Sequence, residues 1–473
     1  MSIPVISIAQ MREWEKASWA AGKSEADVIR RVGKILAHEA LRLTQPGDAI
    51  VILAGKGHNG DDARCARGHL LDRHVQVLDI KDPTTDFPKL DALSSRPALV
   101  IDGLFGIGIN RPLDSSWVKF IERINAAKLT VLAVDVPSGL NADSGEPQGA
   151  AVEAAFTLTV GAPKIGMLQH HATRYVGQLI VADDTGLIAC PHKSELLWTM
   201  PRDFSGFPPR RPVAGHKGTF GHLAIVAGSL GYHGAAVLAS RGAQRAQPGL
   251  ITLFAQERAY IPIAAQLQAV MVQIWSAKTD LPGKFSAVIA GPGLASPDVP
   301  EELKETVRNL WRHSPVPIIA DASALDWLPT GAFPKNAVRI LTPHPGEAAR
   351  LLNSTPTQVQ ADRFKALRQI SQRLGNAWVV LKGHQTLIGR GDGEIFINSS
   401  GNSFLGQGGS GDTLSGYLAG LLAQPALQDD IARTIRFAVW QHGATADLLS
   451  RTQPNWIIED LLDKLGTANP STS

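Results

Sequence analysis

The chain has 473 residues, 44% of them hydrophobic and 19% charged, with a formal net charge of +3. That length calls for two or three domains with sizeable cores, and a near-balanced charge without any Lys or Arg block argues against nucleic acid as a partner. Two cysteines, Cys65 and Cys190, exclude a disulfide framework, and residues 1–4 begin no leader pattern; a cytoplasmic protein without membrane contact is expected.

A helical pattern covers residues 6–43. Short apolar runs then alternate with helical stretches, predicting strands over 49–53, 75–80, 98–101, 131–134 and 156–160. Such alternation indicates βαβ units around a mostly parallel sheet, whose ligands bind beyond the carboxyl ends of the strands. Pro201, Pro208, Pro209 and Pro212 with Gly206 interrupt the pattern, so 201–213 reads as a linker. Strands resume over 222–227, 250–254, 287–290, 317–320, 338–341, 378–381 and 394–398. The division is thus a first domain over 1–200 and a second over 214–473, both α/β.

Three strand ends in the first half carry unusual chemistry. The first delivers Gly55-Lys56-Gly57-His58-Asn59-Gly60-Asp61-Asp62, a loop that can wrap phosphate or ribose or be an ordinary tight turn. The next delivers Asp102 and then 104–112, the third Asp135-Val136-Pro137-Ser138-Gly139-Leu140-Asn141. One Asp at a strand end is usually a helix cap. Three strand ends with Asp or Asn on one edge ask for more: Asn59, Asp102 and Ser138 could give hard oxygen ligands to one cation, and Asp135 could be a general base.

These segments, with Thr159-Val160-Gly161-Ala162-Pro163-Lys164-Ile165-Gly166, resemble the NAD(P)H-hydrate epimerase family over about residues 7–187. The resemblance implies a Rossmann-like domain that interconverts the R and S epimers of hydrated NADH and NADPH. It implies a potassium ion at Asn59, Asp102 and Ser138. It implies hydrate contacts from His58, Asn59, Gly60, Asp61, Asp62, from Gly106, Ile107, Gly108, Ile109, Asn110, Arg111, Pro112, and from Asp135. Asp61 and Ala63 stand where the family more often has glycine, positions expected to need a left-handed backbone.

In the second half, Gly406-Gln407-Gly408-Gly409-Ser410-Gly411-Asp412 runs into a helix whose Leu414, Tyr417, Leu418, Leu421 and Leu422 fall at helical spacing. Glycines admit a close ligand, and the first turn offers unpaired N–H groups and the positive dipole end, which suits phosphate. Asp412 is a poor neighbour for phosphate unless it takes a proton from the group that meets it. Four further segments lie at strand ends. Residues 228–236 are small enough to admit a flat ring, and Gly291-Pro292-Gly293-Leu294 taken alone is a turn. In Leu341-Thr342-Pro343-His344-Pro345-Gly346-Glu347 two prolines restrict His344, while Glu347 could cap a helix or bind water or Mg²⁺. Lys382-Gly383-His384-Gln385-Thr386 places a lysine where it can meet a nucleotide phosphate. His170-His171 lacks further spaced ligands for zinc.

Together these segments resemble the ADP/ATP-dependent NAD(P)H-hydrate dehydratase family, a branch of the ribokinase-like fold, over about residues 214–465. The resemblance implies hydrate contacts at Ala235, Gly293, His344 and Asp412, and nucleotide contacts at Lys382, Gly383, His384, Gln385, Thr386 and Gly411. It implies ADP or ATP as co-substrate with Mg²⁺, and assembly as a homo-oligomer such as a tetramer. Gln407 departs from the family pattern, which predicts a tuned nucleotide pocket. The competing readings are a ribokinase-like small-molecule kinase with a fused ligand-binding domain, and a nucleotide sensor without turnover; intact Gly411-Asp412 argues against the sensor.

Overall fold

A computed structural model of the chain describes residues 2–109, 111–279, 281, 283–334 and 336–470. Its contacts divide into two compact units, Ile3–Glu195 and Leu196–Ser473, the latter with the first two residues. The contact boundary therefore falls before Pro201. The stretch 201–213 begins as a 3₁₀ turn, Pro201–Phe204, whose Phe204 is fully buried in the second unit's core.

After the two-residue strand β1 (Ile3–Pro4), the helical pattern over 6–43 forms two helices, α1 (Ile8–Ala20) and α2 (Glu25–Leu43). Gly22, at φ 80°, turns the chain between them, a conformation that glycine adopts without cost. Strands β2 (Ala49–Ala54), β3 (His74–Asp79), β4 (Leu99–Gly103), β5 (Val131–Val134), β6 (Phe156–Val160) and β7 (Gln178–Ala182) form one parallel sheet in the order β3-β2-β4-β5-β6-β7. Between β2 and β3 lies α3 (His58–Ala66). The central strands are apolar on both faces and feed two core clusters, as a sheet covered on both sides requires.

The second unit adds β8 (Leu196–Trp198), β9 (His222–Val226), β10 (Leu250–Ala255), β11 (Met271–Ile274), β12 (Ala287–Ala290), β13 (Ile318–Ala320), β14 (Arg339–Leu341), β15 (Trp378–Leu381), β16 (Leu387–Gly389) and β17 (Ile395–Ile397). They run in the order β8-β17-β16-β15-β14-β13-β12-β9-β10-β11, parallel from β15 to β11 and antiparallel through β15-β16-β17. The sequence pattern does not predict β7, β8, β11 or β16: β8 and β16 are three residues long, and β11 is an edge strand with an exposed Met271.

Two helices matter for the site: α6 (His233–Ala246) and α12 (Ser410–Leu422), the latter following Gly409 at φ 91°. Leu414, Tyr417, Leu418, Leu421 and Leu422 are all buried. The two helices pack backbone to backbone: a Cβ on Gly416 would lie 1.9 Å from the Ala239 carbonyl oxygen, and one on Gly420 2.6 Å from that of Ala243. Among the described residues no helix is long and apolar enough to cross a membrane.

Candidate functional site

In the first unit, β4 runs two residues beyond the expected end, so Asp102 is inside a strand and fully buried. Its Oδ2 accepts from Ser138 N at 2.8 Å, its Oδ1 from Ser138 Oγ at 2.6 Å and from Leu104 N at 3.3 Å. Ser138 Oγ also accepts from Phe105 N at 2.9 Å, and Asn59 Nδ2 donates to the Phe105 carbonyl at 2.9 Å. The three residues expected to share a cation thus meet around the Phe105 peptide. Burial raises the Asp102 pKa against the hydrogen bonds from Ser138 and Leu104, and no cationic side chain among the described residues offsets it.

Asp135 follows β5 with φ 62°, rare for a residue with a Cβ. Its Oδ1 accepts from Lys164 Nζ at 2.6 Å, Val160 N at 3.1 Å and Thr159 Oγ1 at 3.3 Å. Lys164 is fully buried and also donates to Thr159 Oγ1 and the Val160 carbonyl. In the sequence Lys164 carries no evident role; only the fold reveals that it anchors Asp135.

Above these groups opens a cleft of about 950 Å³, within the size range of small-molecule sites. His58, Asn59, Asp62, Asp135 and the segment 106–112 line it, except Asn110, which lies outside the described residues. Gly60 and Asp61 do not. A Cβ on Gly60 would lie 2.2 Å from the Gly55 carbonyl oxygen, and Asp61 turns to Arg64 at 2.9 Å. The expected left-handed loop at Asp61 and Ala63 is also corrected: both are in α3 with negative φ, so neither needs glycine. Helices α1 and α2 supply unforeseen walls, with Met11, Arg12, Glu15 and Trp19 from the first and Val28, Ile29 and Val32 from the second. Phe105 and Trp117, 4.6 Å apart edge to face, line the same cleft and suit a flat ring.

In the second unit, Lys382 stands at the end of β15 against the first turn of α12: a Cβ on Gly411 would lie 3.1 Å from its Nζ. Lys382 Nζ donates to Asp321 Oδ1 at 3.1 Å and lies 3.8 Å from Glu347 Oε2. Asp321 Oδ1 also accepts from Thr342 Oγ1 at 2.7 Å. Burial works against the Lys382 charge, but Asp321, Glu347 and Asp412 outweigh it and raise its pKa. Burial first, then Asp321, pushes the Asp412 carboxyl up to about 6, with Lys382 opposing. A carboxylate tuned there can take a proton near neutral pH. Asp321 was missed in the sequence, where it reads as one more Asp after a strand.

His344 caps the helix Pro345–Leu352. Its Nδ1 accepts from Gly346 N at 3.0 Å and Glu347 N at 3.4 Å, while Glu347 Oε2 accepts from His344 N at 2.8 Å. Burial lowers its pKa. With Nδ1 accepting, the proton sits on Nε2, which becomes a donor. The loop that leads into α6, where Ala235 lies, is stitched to the loop of Gly293 by Ser229 Oγ donating to the Gly293 carbonyl at 2.7 Å. Gly293, at φ 65°, has no room for a Cβ, which would lie 2.2 Å from the Tyr232 carbonyl oxygen.

The segment 382–386 is folded around Arg363, also missed in the sequence. Its guanidinium donates to the carbonyls of Leu381 at 3.1 Å, Lys382 at 3.5 Å and Gln385 at 3.5 Å, and to that of His384. Gln407 turns away from the first turn of α12 and donates to the carbonyls of Phe404 at 2.8 Å and Trp456 at 3.3 Å. Among the described residues no group of three or more His, Cys, Asp or Glu is arranged to hold a metal.

The sequence profile of NAD(P)H-hydrate dehydratase matches residues 223–467, and that of the YjeF-related protein N-terminus matches 78–166. A bifunctional NAD(P)H-hydrate repair enzyme from Gloeobacter violaceus is 33% identical, the match covering 94% of this chain and 93% of that protein. One from Coxiella burnetii is also 33% identical, with 93% of each covered. Among solved structures, the ADP/ATP-dependent NAD(P)H-hydrate dehydratase of Bacillus subtilis, co-crystallised with ATP and Mg²⁺, superposes with TM-score 0.51 at 30% identity, over 57% of this chain and 96% of that one. A ribokinase-like superfamily protein from Enterococcus faecalis, 24% identical with TM-score 0.52, covering 58% of this chain and 96% of its own, shares the fold.

Proposed function

The chain belongs to the bifunctional NAD(P)H-hydrate repair enzymes, and from that premise we propose how its own residues divide the work. Its activities are epimerisation of R and S hydrates of NADH and NADPH, and ADP/ATP-dependent dehydration of the S hydrate to NAD(P)H through a phosphorylated intermediate. The roles below are our assignments.

Dehydration uses the groups gathered around Lys382. The hydrate ring lies against the joint surface of Gly293 and the start of α6 at Ala235, which touch each other, with its C6 hydroxyl toward Asp412 and His344 Nε2–H as a donor. The terminal phosphate of the nucleotide meets Lys382 and the N–H groups of the first turn of α12 at Gly411, and the rest of it follows 382–386. Asp412 takes the hydroxyl proton as the phosphoryl group arrives. Phosphate then leaves C6, pushed by the ring nitrogen, and the resulting iminium loses a C5 proton to the departing phosphate, which forms the C5–C6 double bond of NAD(P)H. The observation that carries this assignment is the contact of Lys382 with Gly411 beside a carboxyl held near 6. Mg²⁺ would travel with the nucleotide phosphates, and Glu347, whose Oε2 already accepts from His344 N, would offer its carboxylate to it; Mg²⁺ commonly takes one or two carboxylates plus phosphate oxygens.

In the first unit, Asn59, Asp102 and Ser138 offer oxygen atoms around a buried carboxylate that, among the described residues, has no cationic partner. That set fits a potassium ion, which would neutralise Asp102 and hold the Phe105 loop in place. Cytoplasmic location and a homo-oligomer such as a tetramer remain part of the proposal.

Asp412→Ala tests the dehydratase assignment. It is expected to lower the dehydration rate at least about a hundredfold, the usual scale of a lost general base, with ADP binding still measurable by calorimetry. Normal turnover by the variant would sink the base assignment.

A further inference from the structure

Of the cleft acids that lack a hydrogen bond or ion pair among the described residues, Asp62 is more deeply buried than Glu15. It is only 8% exposed, it lines the cleft, and among the described residues no hydrogen bond or ion pair holds it. Its neighbours are handled differently. Asp135 has three donors on one oxygen, among them the buried Lys164 ammonium, so its carboxylate is already engaged. Asp61 pairs with Arg64, and Glu25 with His58. Glu15 is half-buried, with Arg12 and His58 near it.

Resting on the epimerase activity, we propose that Asp62, as a neutral carboxylic acid, is the catalytic residue that opens and recloses the hydrate ring. The C6 carbon bears a hydroxyl and is bonded to ring N1, so it can epimerise as a cyclic hemiaminal does. The carboxyl O–H gives its proton to N1 as the N1–C6 bond breaks. Its carbonyl oxygen takes the proton of the C6 hydroxyl, which becomes an aldehyde. Rotation about the C5–C6 bond presents the other face, and the same two transfers in reverse close the ring as the opposite epimer. No proton, electron or water is gained or lost. The ion pair at Asp135 serves as a positioning group, placing the fixed charge that favours the neutral form of Asp62.

The surroundings supply the required protonation state. Burial, followed by Asp135, Asp61 and Glu15, pushes the Asp62 pKa up to about 8. Its other close titratable neighbour, Cys65 on the same helix, is itself raised by burial and by Asp62. The acid form is therefore present below about pH 8 and lost above it.

The test uses the full-length protein at saturating potassium, with the R-to-S rate followed by chromatography of the epimers. The wild-type rate is expected to fall as pH rises through about 8. Asp62→Asn is expected to lose at least about a hundredfold in kcat, the scale of lost proton transfer, while its Kd for NADPH stays within about threefold. Its residual rate should lack the alkaline limb, and Asp62→Glu should restore part of the activity. Stability gives an independent readout. A raised carboxyl pKa costs the fold progressively more as pH rises from about 4 to about 8, so the Tm advantage of Asp62→Asn over wild type should grow over that range. A wild-type rate that is level or rising through about pH 9, or an Asp62→Asn rate within threefold of wild type, would overturn the proposal. Absence of epimerisation in the wild type would sink the activity itself, and the role of Asp62 with it.

Discussion

Lys382 and Asp412 are opposite charges brought together by a strand end and a helix start, and burial sets what each can do. Asp412, raised to about 6 by burial and by Asp321, is an effective base only above that pH. Dehydration kcat/KM is therefore expected to fall as pH drops through about 6 and to level off above it; a profile unchanged down to about pH 5 would contradict the assignment. Gly411 faces the Lys382 ammonium with no side chain between them. Gly411→Ala should raise the KM for ADP more than that for the hydrate, a split readable from initial rates. Asp412 and Lys382 were legible in the sequence because each sits in its own short motif at a strand or helix end. Lys164, Asp321 and Arg363 were not, because each acts on a residue distant in sequence: Lys164 on Asp135, Asp321 on Lys382, Arg363 on four carbonyls.

At the scale of elements, α12 is held in place by glycines that a propensity count would call flaws. Gly416 and Gly420 let α12 lie against the backbone of α6, which sets where the first turn of α12 points. Gly416→Ala, although it favours helix locally, forces a Cβ to 1.9 Å from a carbonyl oxygen. It is expected to destabilise the protein by about 1–3 kcal/mol, the usual cost of overpacking, read as a lower denaturant midpoint; an unchanged midpoint would show that the packing yields. The buried strands were legible from their apolar runs. The division into α1 and α2 was not, because helical periodicity continues in register on both sides of Gly22 and only the left-handed turn ends it. That missed break also hid the walls that both helices give to the cleft.

Over the whole molecule, the two units carry complementary chemistry on similar architecture: parallel strands deliver Asp102 and Asp135 in one, Asp321 and Lys382 in the other. A dehydratase that accepts one epimer recovers only part of a mixed hydrate pool, and an epimerase in the same chain supplies the remainder. The most direct measurement is to give the full-length protein mixed NADH hydrate epimers with ADP or ATP, in potassium and Mg²⁺, and follow the return of reduced-nicotinamide absorbance. Complete recovery in one enzyme-dependent course, with phosphate released in step, is the predicted result. No recovery with either nucleotide, or a stable phosphorylated product in place of NADH, would contradict it.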